Sequence, residues 1–121
     1  MSLARITEIL NTLNPVTVAP DPQASTNAYA DIGLLDAEGK TRVVYTIYNA
    51  HAANVISWKV LGSVDNVTFI ELEAEADLAG VTAASWVASA TETSYRYFKI
   101  QIKSKVAGTP ANVTVRGYAK M

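Results

Sequence analysis

Tyr95-Arg96-Tyr97-Phe98-Lys99-Ile100-Gln101-Ile102-Lys103-Ser104 alternates with period two: Phe98, Ile100 and Ile102 fall on one side, and Tyr95, Tyr97, Lys99, Gln101 and Lys103 on the other. Successive side chains of a strand point to opposite faces of a sheet, so this stretch predicts a strand with one face in a core and one turned outward. Beyond a Gly108-Thr109-Pro110 turn, residues 111–120 repeat the pattern, with Val113 and Val115 inward and Asn112, Thr114 and Arg116 outward. Upstream, residues 55–63 supply a matching inward set, Ile56, Trp58 and Val60. Residues 67–72 form its hairpin partner around Asp65-Asn66, where Asn tolerates the left-handed conformation a tight turn needs. Residues 29–35 and 42–49 are strand-like and are joined by Asp36-Ala37-Glu38-Gly39, the residues a reverse turn prefers. Val43-Val44-Tyr45-Thr46-Ile47-Tyr48 is apolar on both faces, as a strand inside a sandwich should be. Residues 86–90 form a short strand, and the alanine-rich residues 74–84 read as a loop with one helical turn.

Before the strands, Leu3, Ile6, Leu10 and Leu13 recur at helical spacing, and Pro15 disfavours helix at Asn14. Residues 2–14 therefore predict one short amphipathic helix, with Ser2 as its cap. A helix this short is marginal alone, so its apolar stripe needs a surface to dock on. The expected fold is all-β: an antiparallel β-sandwich or jelly roll of about seven to eight strands with one short N-terminal amphipathic helix. The 121 residues suit one domain, divided into helix 2–14, linker 15–28 and sandwich 29–121.

Composition narrows the function. Hydrophobic residues at 50% and charged residues at 17% exclude intrinsic disorder. No apolar run approaches the roughly 20 residues that cross a bilayer, so no membrane partner is expected. The N-terminus lacks a basic region followed by an apolar one, so synthesis in the cytoplasm without a signal peptide is expected. With no cysteine and one histidine, thiolate sites and the common zinc ligand sets cannot be assembled, and no cofactor is expected. His51 lies in the loop Ala50-His51-Ala52-Ala53-Asn54 without a serine elbow, a metalloprotease motif or a phosphate loop anywhere in the chain. It reads as a solvated loop residue, and the chain as no enzyme.

The net charge of −1 hides a segregation. Residues 61–94 carry Asp65, Glu71, Glu73, Glu75, Asp77 and Glu92 and no base, whereas 95–121 carry Arg96, Lys99, Lys103, Lys105, Arg116 and Lys120 and no acid. If the strands concerned are neighbours, these charges neutralise one another across the sheet; if they lie at opposite ends, the molecule is a dipole suited to head-to-tail assembly. Glu71, Glu73 and Glu75 read as a solvated edge that discourages aggregation, with a calcium site as the competing reading. Tyr95, Tyr97, Lys99 and Lys103 interleave rings with cations, a pattern that holds single-stranded nucleic acid or stacks on sugars. The slightly acidic balance argues against nucleic acid, and an ordinary sheet surface or a subunit contact is the simpler reading.

The stretch Ser57-Trp58-Lys59-Val60-Leu61-Gly62-Ser63-Val64-Asp65-Asn66-Val67-Thr68-Phe69, with Tyr95-Arg96-Tyr97-Phe98-Lys99-Ile100 and Val113-Thr114-Val115-Arg116-Gly117-Tyr118, resembles the discoidin-type, galactose-binding-like jelly roll. Asn66 stands where that family prefers glycine. The short cysteine-free form also resembles small virion proteins of tailed bacteriophages. That second resemblance implies assembly: decorating or cementing a capsid, or forming part of a tail, as a homo-oligomer and with other virion proteins. The expected contact residues are Leu3, Ile6, Leu10, Tyr95, Tyr97, Lys99 and Lys103. The first resemblance implies the alternative, a carbohydrate-binding module that stacks sugars on Tyr95, Tyr97 or Trp86.

Overall fold

A computed structural model describes residues 14–121, and in it nine strands succeed one another with a single 3-10 turn, Glu92–Ser94. The strands are β1 (Val16–Val18), β2 (Gln23–Ala24), β3 (Ala30–Asp36), β4 (Arg42–Asn49), β5 (Ile56–Ser63), β6 (Ile70–Leu78), β7 (Thr82–Val87), β8 (Tyr97–Ser104) and β9 (Asn112–Lys120). Their antiparallel pairings nest like one long hairpin. At its tip β5 pairs β6, then β4 pairs β7, β3 pairs β8, and at the open end β1 and β2 both pair β9. Two further pairings, β4 with β9 and β5 with β8, roll this ribbon up. The result is a sheet of order β1-β9-β4-β7 facing one of order β3-β8-β5-β6, the connectivity of a jelly roll.

Alternation assigned the core well. Phe98, Ile100, Ile102, Ile56, Val60, Val113 and Val115 are fully buried between the sheets, and Trp58 nearly so. Tyr45 spans the interlayer: from β4 its hydroxyl lies 2.6 Å from the Gly33 carbonyl of β3 and 2.9 Å from the Phe98 carbonyl of β8, and donates across the gap. Gly33 makes this possible. It sits at φ +73° where the β3–β8 register shifts, and a Cβ there would come within 2.9 Å of Val115 Cγ1. The Asp65-Asn66 turn is as expected, with Asn66 at φ +61°. The Asp65 carboxylate accepts from the Val67 and Thr68 amides and the Ser63 hydroxyl, and these bonds hold its pKa below the usual carboxylate value.

Two expectations change, and a third falls outside the described residues. Residues 2–13 of the expected N-terminal helix lie outside the described residues; Asn14 is exposed and sits at a bend. The stretch 15–28, expected as a linker, contributes β1 and β2 to the sheet through β9. The alanine-rich 74–84 is not a loop: β6 runs on to Leu78 and β7 starts at Thr82, so the strand expected at 86–90 is displaced upstream. Alanine has little strand preference of its own, and pairing with β5 and β4 overrides it. The connecting turn is tight: Val81 is held at φ +55°, and a Cβ on Gly80 would run into the His51 carbonyl.

Candidate functional site

The outer face of the β3-β8-β5-β6 sheet gathers most of the predicted polar residues. Tyr97, Lys99 and Lys103 share it along β8, half-buried by their neighbours. Lys99 pairs with Asp31 at 3.0 Å, and Gln101 donates to the other Asp31 oxygen at 2.8 Å. Arg96 grips Asp36 with two bonds of 2.9 and 3.0 Å. Lys103 meets Glu75 at 3.8 Å, and Lys105 meets Asp77 at 2.6 Å. Neutralisation between the two charge blocks is partial: Lys103 and Lys105 meet acids of β6, whereas Lys99 and Arg96 pair with Asp31 and Asp36 of β3, outside the acidic block.

Protonation equilibria follow these contacts. Partial burial pushes the Asp31 carboxyl up, but hydrogen bonds from Gln101 and Lys99 outweigh it and hold its pKa low. The Arg96 bond lowers that of Asp36, and the Lys105 and Ser57 bonds lower that of Asp77. Burial, then the nearby Glu75 carboxylate, raises the Tyr29 phenol. The rings on this face are covered by cations. Lys59 and Lys103 lie 4.4 and 5.0 Å from the Tyr29 ring centre, Lys99 lies 3.9 Å from Phe69, and Arg96 lies 5.1 Å from Tyr97.

Several predicted roles do not fit this geometry. Tyr95 precedes β8 and, instead of sharing the face of Tyr97, turns towards the core over Gly62, where a Cβ would meet its ring at 3.2 Å. The period-two reading fails there because the chain bends at Arg96 before the strand begins. Trp86 is 6% exposed and packs between Tyr45 and Phe98, so it offers no platform for a sugar. His51 is not simply solvated: its Nδ1 accepts from the Ala53 and Asn54 amides at 3.0 and 2.8 Å and shapes its own loop. Glu71, Glu73 and Glu75 lie exposed on edge strand β6, and no group of three acidic or histidine side chains among the described residues converges on a metal position. Leu3, Ile6 and Leu10 lie outside the described residues. Sequence reading missed Asn49, which is fully buried, donates to the Asn54 and Leu78 carbonyls and accepts from the His51 amide. An Asn at the end of an apolar run was the only available signal.

The other outer face differs. Register places three cross-strand rows on the β1-β9-β4-β7 sheet: Thr17, Tyr118, Val44 and Val87; then Arg116, Thr46 and Ser85; then Thr114, Tyr48 and Ala83. Arg116 is the only charged side chain in these rows, and its guanidinium is tied down to the Pro20 carbonyl at 3.0 Å. Arg42 and Lys120 close one end. A shallow groove of about 230 Å³ runs between Thr17, Val44, Thr46 and Tyr118. Val87 is 65% exposed and Tyr48 39% exposed. No helix among the described residues is long and apolar enough to cross a membrane.

No family model matches the chain, and no characterised protein is similar to it in sequence. Solved structures share its fold, a jelly-roll β-sandwich. The SPBc2 prophage-derived protein YomS superposes with a TM-score of 0.59 at 11% identity, over 89% of this chain and 94% of that one. The Bacillus endospore appendages, a family of disulfide-linked pili, give 0.57 at 11% identity over 89% and 88%. The Yersinia pseudotuberculosis-derived mitogen gives 0.50 at 14% identity over 89% and 86%. At these identities the likeness is one of fold.

Proposed function

We propose that this chain is a non-enzymatic structural subunit, a virion component of a tailed bacteriophage in the capsid decoration or the tail, that works through contacts with its own copies and with other virion proteins. The observation that carries this reading is the uncharged outer face of the β1-β9-β4-β7 sheet, whose three rows hold a single tethered charge. Surfaces facing water are ordinarily studded with charge, and a flat field of Val, Thr, Ala, Ser and Tyr is cheap to desolvate against another protein. The fold likeness to a prophage-derived protein and to a pilus subunit supports the same reading. Unlike those pili, a chain without cysteine cannot be joined by disulfides. Leu3, Ile6 and Leu10, outside the described residues, are proposed as further contacts, and Tyr97, Lys99 and Lys103, on the opposite sheet, as contacts with other virion proteins. Catalysis has no support in the geometry around His51, whose Nδ1 is occupied by two amides.

Sedimentation velocity over a wide range of protein concentration tests the proposal, together with co-sedimentation with purified phage particles. Reversible self-association, or binding to particles, is expected. A monomer at every concentration that also ignores particles would overturn the reading.

A further inference from the structure

A sheet edge presents unpaired amides and carbonyls to any strand of another chain, and folded proteins normally guard it. Three edges here are guarded. β1 and β2 are short and interrupted by Pro15, Pro20 and Pro22. β3 is broken by the irregularity at Gly33. β6 carries Glu71, Glu73, Glu75 and Asp77, so pairing with its own copy about Ala74 would set Glu73 against Glu75 and Glu71 against Asp77. The fourth edge has no such device. β7, Thr82-Ala83-Ala84-Ser85-Trp86-Val87, holds no charge and no proline, keeps unbroken register with β4, and ends its sheet.

The ladder also shows which groups this edge offers. The Ala88 amide donates to the Val43 carbonyl, and hydrogen-bonded positions alternate along an antiparallel pair. The amides and carbonyls of Ala83, Ser85 and Val87 therefore face away from β4. Their small side chains lie on the uncharged outer face, where Ser85 and Ala83 continue the rows of Thr46 and Tyr48.

We infer that β7 is a self-complementary docking edge, on which β7 of a second copy adds antiparallel about a two-fold axis at Ser85. Ala83 then pairs with Val87, Ser85 with Ser85 and Val87 with Ala83, each pair exchanging both main-chain bonds, and no like charges meet. The two β1-β9-β4-β7 sheets become one continuous sheet with one continuous uncharged outer face. A two-fold pairing of identical patches is the commonest way for subunits to associate, and strand addition is a known mode of recognition. This inference rests on the assembly reading above and names its first contact.

The absence of cysteine gives a direct test. Residues in a hydrogen-bonded antiparallel pair have Cα atoms about 5.5 Å apart, within disulfide range. Under mild oxidation Ser85→Cys is expected to yield a covalent dimer quickly, while Glu73→Cys on the guarded edge stays monomeric. Ser85→Lys, which places two ammonium groups at the two-fold, is expected to weaken the dimer about fivefold or more with an unchanged melting temperature. Equal cross-linking at both positions, or an unaltered association constant in Ser85→Lys, would overturn the inference. If wild-type protein still oligomerises in that case, the interface lies elsewhere and the assembly reading stands; if it is monomeric and ignores particles, both fall.

Discussion

On the β3-β8-β5-β6 sheet most outward charges meet a partner in the same subunit, as Lys99 meets Asp31 and Lys103 meets Glu75, while Glu71 and Glu73 stay exposed to water. On the β1-β9-β4-β7 sheet the three central rows hold one charge, that of Arg116, and the other outward cations, Arg42 and Lys120, sit at one end. The first surface is complete by itself and stays wet; the second is inexpensive to dehydrate. The two outer faces of one sandwich therefore differ in what they require of another molecule, although their cores are the same kind of apolar layer. That asymmetry links the fold to the assembly reading, because a subunit needs a face to bury and a face that remains soluble.

The largest expected effect comes from removing the join that holds the two faces apart. Gly33→Val forces a β-branched residue to φ +73° and drives it into Val115, next to the Tyr45 hydroxyl that bridges the sheets. We expect a loss of about 3 kcal/mol or more in chemical denaturation; a near-neutral result would mean that the bridge does not set the sheet separation. Asn49→Leu comes next. It leaves the Asn54 and Leu78 carbonyls and the His51 amide without their partner, so we expect a loss of about 2 kcal/mol in stability and faster hydrogen exchange at the Ala53 and Asn54 amides.

Substitution on the faces sharpens the contrast directly. Thr46→Lys sits mid-row on the uncharged face and should leave stability within about 0.5 kcal/mol while reducing self-association or particle binding severalfold by sedimentation. Lys105→Ala on the charged face should also cost no more than about 0.5 kcal/mol of stability but leave association as it was. Equal effects of both substitutions on association would erase the distinction between the faces.

Acid acts on the charged face and on the Asp65 turn. The carboxyls of Asp31, Asp36 and Asp77 titrate below their unfolded value in the native chain, so the unfolded chain takes up protons first. Their contribution is present above the unfolded value, about 3.9, and is lost as pH falls through the lower folded values. The melting temperature should be flat from neutrality to about pH 5 and decline below about pH 4, and Asp36→Asn should shrink that decline. A decline that sets in near neutral pH would point to a different group.

Much of the fold was legible where local pattern and environment agree. Phe98, Ile100 and Ile102 alternate with polar residues because one side of β8 is core and the other is solvent, and the buried set matches the reading. Asn66 marks its turn because few other residues accept φ +61°. The reading failed where distant partners decide. Ala74 and Ala76 are weak strand formers, yet β6 runs through them because β5 offers its edge. Tyr95 has the right parity for the outer face, but a bend at Arg96 swings it over Gly62. Trp86, a plausible platform by type, is enclosed by Tyr45 and Phe98 from sequence-distant strands.

Taken alone, the amino-acid order settled the all-β character, the inward residues of the long strands and the poverty of catalytic groups, because periodicity, turn chemistry and composition are local properties that survive without knowledge of neighbours. Strand order, the pairing of Lys99 with Asp31 and of Lys105 with Asp77, the burial of Asn49 and the alignment of the Val44, Thr46 and Tyr48 rows across neighbouring strands came only with the tertiary structure. They depend on which strands the rolled hairpin sets side by side, and adjacency between residues dozens of positions apart is a property of the closed sandwich that no local window contains.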